Sequence, residues 1–196
     1  DLDLRNVFQG LKIKGAGSSK TDRLPVTDEQ LATLLPVYAT SPVPEALFVT
    51  LTDTGARLAE IVGLEAQDLD LDKGCLNIRH NSIRRLKTKT SDRVIPLSRR
   101  AQELLRQHQD GLSDTSLIFP QYARPRGSDA ASAMLMKRLR TQVSDPKVTI
   151  HSLRHRMKDK LRNTGCPEDV SLAILGHSSN TVAANYGSGY ALEVMR

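Results

Sequence analysis

Apolar residues along this chain recur in two rhythms, and each predicts a kind of element. Spacings of three and four mark helices, because such positions share one helical face. After Thr27, which has Gln30 three residues on as its capping-box partner, Leu31, Leu34 and Leu35 predict a helix with a buried stripe. Residues 36–44, bounded by Pro36 and Pro44, read as a loop. Residues 45–52 then read as a strongly apolar helix at the centre of the core. Gly55 gives a turn, and Arg57 and Glu60 fall at i and i+3 at the start of a short helix. Residues 68–72 form an acidic turn. Residues 75–79, 83–87 and 93–97 read as three short strands of an antiparallel sheet, with residues 87–92 as a polar hairpin tip.

The helical rhythm then returns. Ser98 caps a helix with Ala101, Leu104 and Leu105 inward, and residues 117–119 make a brief extended piece. Residues 121–129 are a loop, and Ser128 or Asp129 caps a helix running to about Gln142. Asp145-Pro146 breaks it. The next helix carries His151 to Arg162 and ends at Gly165. Pro167 opens another, with Val170, Ile174 and Leu175 inward and Gly176 ending it. His177 lies in the following turn, and a last helical turn delivers Tyr186. The expected fold class is α+β, mainly helical, with a small antiparallel sheet of three strands. Residues 1–20, with Gly15-Ala-Gly-Ser-Ser-Lys20, read as a linker remnant, 21–186 as one domain, and 187–196 as a C-terminal tail.

Charge narrows the partner. The net charge of +6 is uneven: residues 79–106 and 137–162 each hold nine Lys or Arg against two acids. Two basic blocks on one small domain are the footprint of a polyanion. Aromatic residues are scarce, with no Trp, so base stacking on single strands is disfavoured and double-stranded DNA is the expected partner. No apolar run approaches the roughly 18 residues of a membrane span. Cys75 and Cys166, with no CxxC near either, read as reduced thiols of a cytoplasmic protein.

Candidate chemistry sits in three places. His151, Arg154 and His155 share one helical face. Arg57 with Glu60 is either a surface ion pair, worth under about 1 kcal/mol, or an arginine held by Glu60 and aimed at a phosphate. Lys87 and Lys89 at the hairpin tip either solubilise an edge or reach DNA. His151 and His155 mimic a helical zinc pair, but the HExxH glutamate and a third ligand are missing, so no metal and no cofactor are expected.

Five segments in order resemble the catalytic domain of the tyrosine recombinases, the phage-integrase family. They are Thr54-Gly-Ala-Arg57-Leu-Ala-Glu60, Lys87-Thr-Lys89-Thr-Ser-Asp-Arg-Val-Ile-Pro-Leu97, His151-Ser-Leu-Arg154-His155, Leu175-Gly-His177-Ser-Ser, and Asn180-Thr-Val-Ala-Ala-Asn-Tyr186. The resemblance runs from residue 21 onward. It implies an arginine pair, Arg57 and Arg154; a hairpin lysine, Lys89 in preference to Lys87; two imidazoles, His151 and His177; and a nucleophile, Tyr186, in preference to Tyr190. Glu60 and His155 become supporting residues, and Arg84, Arg85 and Lys87 are expected DNA contacts. The resemblance also implies a homotetramer on DNA and a preceding DNA-binding domain that the chain lacks. The activity implied is that of a phage or prophage integrase. A type IB topoisomerase, or a silent DNA-binding regulator of the same fold, are the alternatives.

The residues suit that chemistry. A phenol of pKa near 10 is only about 0.1% ionised at neutral pH and needs a base within reach. Imidazoles titrate near the working pH. Two guanidiniums meet the charge that builds on phosphate oxygens during attack better than lysines would.

Overall fold

Helix α2 (Pro42–Thr54) is the beam against which the other helices lie. Its Ala46, Leu47, Phe48, Thr50, Leu51 and Thr54 are all buried. Around it pack α1 (Asp28–Tyr38), α3 (Leu58–Val62), α4 (Arg99–Gln109), α5 (Gly127–Leu139) and α6 (Ser152–Asn163). The computed structural model describes residues 23–81, 83–84, 92–177 and 190–196. Among them no helix is long and apolar enough to cross a membrane.

Helix α1 begins as its sequence predicts. The Thr27 hydroxyl accepts from the Gln30 backbone N–H, and the Gln30 side chain accepts in return from Thr27 N–H. Its buried face is Leu34 and Tyr38, four residues apart, whereas Leu35 is 42% exposed. The Tyr38 ring stacks on Phe48, centroids 3.8 Å apart, and its hydroxyl donates to Leu135 O. The predicted loop over 36–44 is much shorter. Pro36 lies inside the last turns of α1, and Pro42 and Pro44 lie in the first turn of α2, where a missing N–H has no helical partner to lose.

The sheet has three antiparallel strands in the order β1 (Leu69–Asp70), β2 (Cys75–Ile78) and β3 (Arg93–Pro96). Leu69 faces Leu76, and Leu76 in turn faces Ile95. The strand count agrees with the sequence, but the membership differs. The acidic stretch supplies β1, because Asp70 accepts from Lys73 N–H and Gly74, at φ +65°, closes a tight turn back into β2. Of the expected 83–87 strand, the described residues Ile83 and Arg84 form a turn whose N–H groups donate to the Asn81 side chain; residues 85–87 lie outside the described residues.

Helix α7 (Glu168–Leu175) packs on α6 and on β3. Of the tail, Met195 packs against the core, Arg196 donates to Lys73 O and the Tyr190 hydroxyl bonds the Asp169 carboxylate, all within the same chain.

Candidate active site

Two left-handed glycines bring the site together. Gly55, at φ +61°, ends α2 and turns the chain into α3. A Cβ there would stand 2.8 Å from Met157 of α6, so only glycine lets the two segments approach this closely. Gly176, at φ +62°, ends α7 in a Schellman arrangement in which His177 N–H donates to Leu172 O. Its missing Cβ would collide with the Arg93 guanidinium, 2.6 Å from Nη1.

Arg57 stands at the start of α3. Its backbone N–H donates to Glu60 Oε2 (2.7 Å) and its Nη1 to Oε1 (2.9 Å). The pair is not a surface ion pair: the Glu60 side chain is 5% exposed, while the Arg57 side chain is 38% exposed and opens to solvent. Burial alone would push the Glu60 carboxyl up. The hydrogen bonds and charge of Arg93, then those of Arg57, outweigh it and hold the carboxyl below its ordinary value.

Arg154 is 5% exposed and hangs on main-chain oxygens. Nη1 donates to Gly55 O (2.8 Å), and Nη2 donates to Leu175 O and faces His177 Nε2 at 3.0 Å. Two of its five N–H groups are left without a partner among the described residues. Burial, then the charge of Arg57, pushes the guanidinium down to about 10, so it stays a cation at neutral pH.

The imidazoles are held neutral. Burial and the surrounding cations, Arg154 foremost, push His177 down to about 4. His151, just ahead of α6, is likewise pushed down to about 4 by burial, then by His155, Arg23, Arg154 and Arg57. The His155 ring stands edge-on to His151, centroids 5.1 Å apart. A neutral imidazole is the form that accepts a proton.

The structure therefore gathers Arg57, Glu60, Arg154 and His177 and sets His151 and His155 within reach of their charges. Arg84 is a correction. It is 4% exposed and faces inward, donating from Nε to Arg79 O, from Nη1 to Glu60 O and Gly63 O, and pairing with Asp68. Its guanidinium is consumed by the fold and has no surface with which to meet DNA. Arg85, Lys87, Lys89 and Tyr186 lie outside the described residues. Tyr190, the competing phenol, is tied to the Asp169 carboxylate, and that bond pushes its pKa up, away from ionisation.

Arg93 was given no role from the sequence. Its fork grips Glu60, and its Nε donates to Ile174 O (2.9 Å). The strand rhythm contained the signal: Arg93 and the buried Ile95 are two apart on β3 and share a face, so the arginine must point inward.

Known proteins share the sequence pattern and the fold of this chain. The phage integrase family model matches residues 26–191. The chain belongs to that family. A probable integrase/recombinase protein of Methanocaldococcus jannaschii is 31% identical over 156 residues, covering 74% of this chain and 45% of that protein. The tyrosine recombinase XerA of Thermococcus kodakarensis is 28% identical over 166 residues, covering 82% of this chain and 56% of the relative. The chain thus spans about half the length of these family members. Among solved structures, that of XerA recombinase superposes with a TM-score of 0.65 at 24% identity, covering 80% of this chain and 55% of that one. The Tn1549 transposon integrase gives 0.63 at 21% identity, covering 87% and 64%. Both share the fold.

Proposed function

We propose that this chain cleaves and rejoins duplex DNA at a defined site through a 3′-phosphotyrosyl intermediate, with Tyr186 as the nucleophile. The observation that carries the reading is that Glu60 holds Arg57 while Arg154, anchored on the nearby Gly55 carbonyl, meets His177. With Arg93 this cluster holds three guanidiniums against one carboxylate, a net charge of two positive units beside neutral imidazoles. A phosphodiester under attack carries a similar charge of opposite sign, so the cluster favours the transition state over the singly charged ground state.

In the proposed reaction the Tyr186 oxygen bonds to phosphorus and its proton passes to His151, since the His177 Nε2 lone pair already accepts from Arg154. The bond from phosphorus to the 5′-oxygen breaks, and Lys89 (or Lys87) protonates the departing oxygen. The ester is reversed when a 5′-hydroxyl attacks it, so rejoining needs no nucleotide cofactor.

Duplex DNA as partner is supported by the basic blocks and by a neighbour, since the Tn1549 integrase was solved in complex with circular intermediate DNA. The names of the relatives, integrase and recombinase, favour exchange between sites over topoisomerase-like relaxation. A tetramer on DNA, a preceding DNA-clamping domain and an origin in a phage or prophage belong to the same proposal; relatives about twice as long support the extra domain.

A nicked suicide duplex carrying candidate junction sequences tests the reading. The protein is expected to form a detergent-stable adduct. Tyr186→Phe should form none while binding the duplex about as well. An adduct with the Phe variant would transfer the nucleophile elsewhere, and no adduct with any junction would favour the silent regulator.

A further inference from the structure

Arg93 lies outside the set of reacting groups, yet it bonds two separate parts of the site's framework, Glu60 and the end of α7. Glu60 offers two oxygens, and both are shared. Oε1 accepts from Arg57 Nη1 at 2.9 Å and from Arg93 Nη1 at 3.2 Å. Oε2 accepts from the Arg57 backbone at 2.7 Å and from Arg93 Nη2 at 2.8 Å. The carboxylate therefore holds Arg57 from one side while Arg93 holds the carboxylate from the other.

The remaining edge of the Arg93 fork faces a different segment. Its Nε donates to Ile174 O, one residue before the Leu175 O that Arg154 grips. Both carbonyls belong to the last turn of α7, where helical carbonyls have no intrahelical partner and the helix dipole favours cations. Two guanidiniums thus cap the helix end from which His177 emerges. Gly176 leaves the space that the Arg93 plane fills. The Arg93 side chain is 6% exposed and turned to Glu60 and Ile174 O.

We propose that Arg93 is a positioning residue for the strand-cleavage reaction: it fixes the distance between the Arg57–Glu60 pair of α3 and the His177 turn after α7. The inference rests on the function proposed above. A lysine cannot take its place, because one ammonium cannot span both carboxylate oxygens and a carbonyl on the next segment.

The test compares Arg93→Lys and Arg93→Met with the wild type on the nicked suicide duplex on which the wild type forms its adduct. Single-turnover adduct formation at saturating DNA should fall about a hundredfold in Arg93→Met and at least about tenfold in Arg93→Lys, the scale set by an ångström of misplacement. Duplex affinity should stay within about twofold, because the side chain is turned to Glu60 and Ile174 O. Glu60→Gln combined with Arg93→Met should be no slower than the slower single variant, as expected of groups acting as one unit. A folded Arg93→Lys that cleaves at the wild-type rate overturns the proposal. So does a variant that loses affinity but not the saturated rate. If Arg93→Met does not fold, Arg93→Lys decides alone.

A second readout does not use cleavage. In NMR spectra, Arg93→Lys should shift the Arg57 Nε–H and His177 ring signals together and leave His108 in place. Those shifts in a protein that forms no adduct would keep the strut and discard the strand-cleavage reading. Unchanged signals at either residue would discard the strut.

Discussion

Arg154 Nη2 lies 3.0 Å from His177 Nε2. A guanidinium only donates, so Nε2 accepts and the imidazole proton resides on Nδ1. The contact ties the two residues that the sequence separates by twenty-three positions into one unit. It also explains why His177 resists a second proton, since protonation would set two cations face to face after a ring already made less basic by burial.

A pH dependence follows. The folded pKa of His177 is about 4 against an ordinary 6.5, so between those values the unfolded chain binds protons that the folded chain refuses. Stability must then fall as pH drops from about 6.5 toward 4. Urea unfolding at pH 7 and pH 5 should show the loss, and His177→Gln should flatten part of the slope. His151, also at about 4, contributes in the same direction.

Glu60 carries a larger structural load than an acid paired with one arginine. Glu60→Gln replaces an oxygen that accepts two hydrogen bonds with a donor, opposite Arg57 and Arg93. The expected cost is roughly 3 kcal/mol, typical of unpairing a buried ion. Chemical denaturation measures it, and a cost below about 0.5 kcal/mol would return the residue to surface-pair status.

The two close glycines should behave differently from their open counterparts. Gly165→Ala, at φ +73° with nothing near the new Cβ, should cost about 1 kcal/mol from backbone strain alone. Gly176→Ala meets Arg93, and Gly55→Ala meets Met157. Both should cost more than Gly165→Ala in thermal unfolding and also slow adduct formation, which Gly165→Ala should leave alone.

Arg84→Met separates the charge of the basic block from its use. The variant should lose roughly 2 kcal/mol of stability, because buried Asp68 loses one of its two cations and keeps Arg79 and the Glu65 N–H. The slope of duplex affinity against salt should be unchanged. A slope reduced by about one unit would restore Arg84 as a phosphate contact.

Where the sequence could be read, a local rule was at work. The Thr27–Gln30 box, the glycine ends of α2 and α7, and the pairing of Arg57 with Glu60 are all set within five residues. Pro36 misled because α1 continues through it to Tyr38, whose ring is buried on Phe48 and holds the last turn despite the lost N–H. Arg84 and Arg93 misled for a different reason. Their partners lie at Asp68 and Gly63 for the first, and at Glu60 and Ile174 for the second, across distances in sequence that no local pattern spans. Strand alternation shows that Arg93 faces inward, but not which carboxylate or carbonyl it meets there.

Arg154 is anchored to the main chain at positions 55 and 175, and every amino acid carries a carbonyl there. No substitution can delete those anchors; it can only push them aside. The steric part of the damage at Gly55 should accordingly be relieved by a second change that makes room, such as a smaller residue in place of Met157, leaving only the backbone strain. The loss of Glu60, whose carboxylate is a side chain, has no such suppressor.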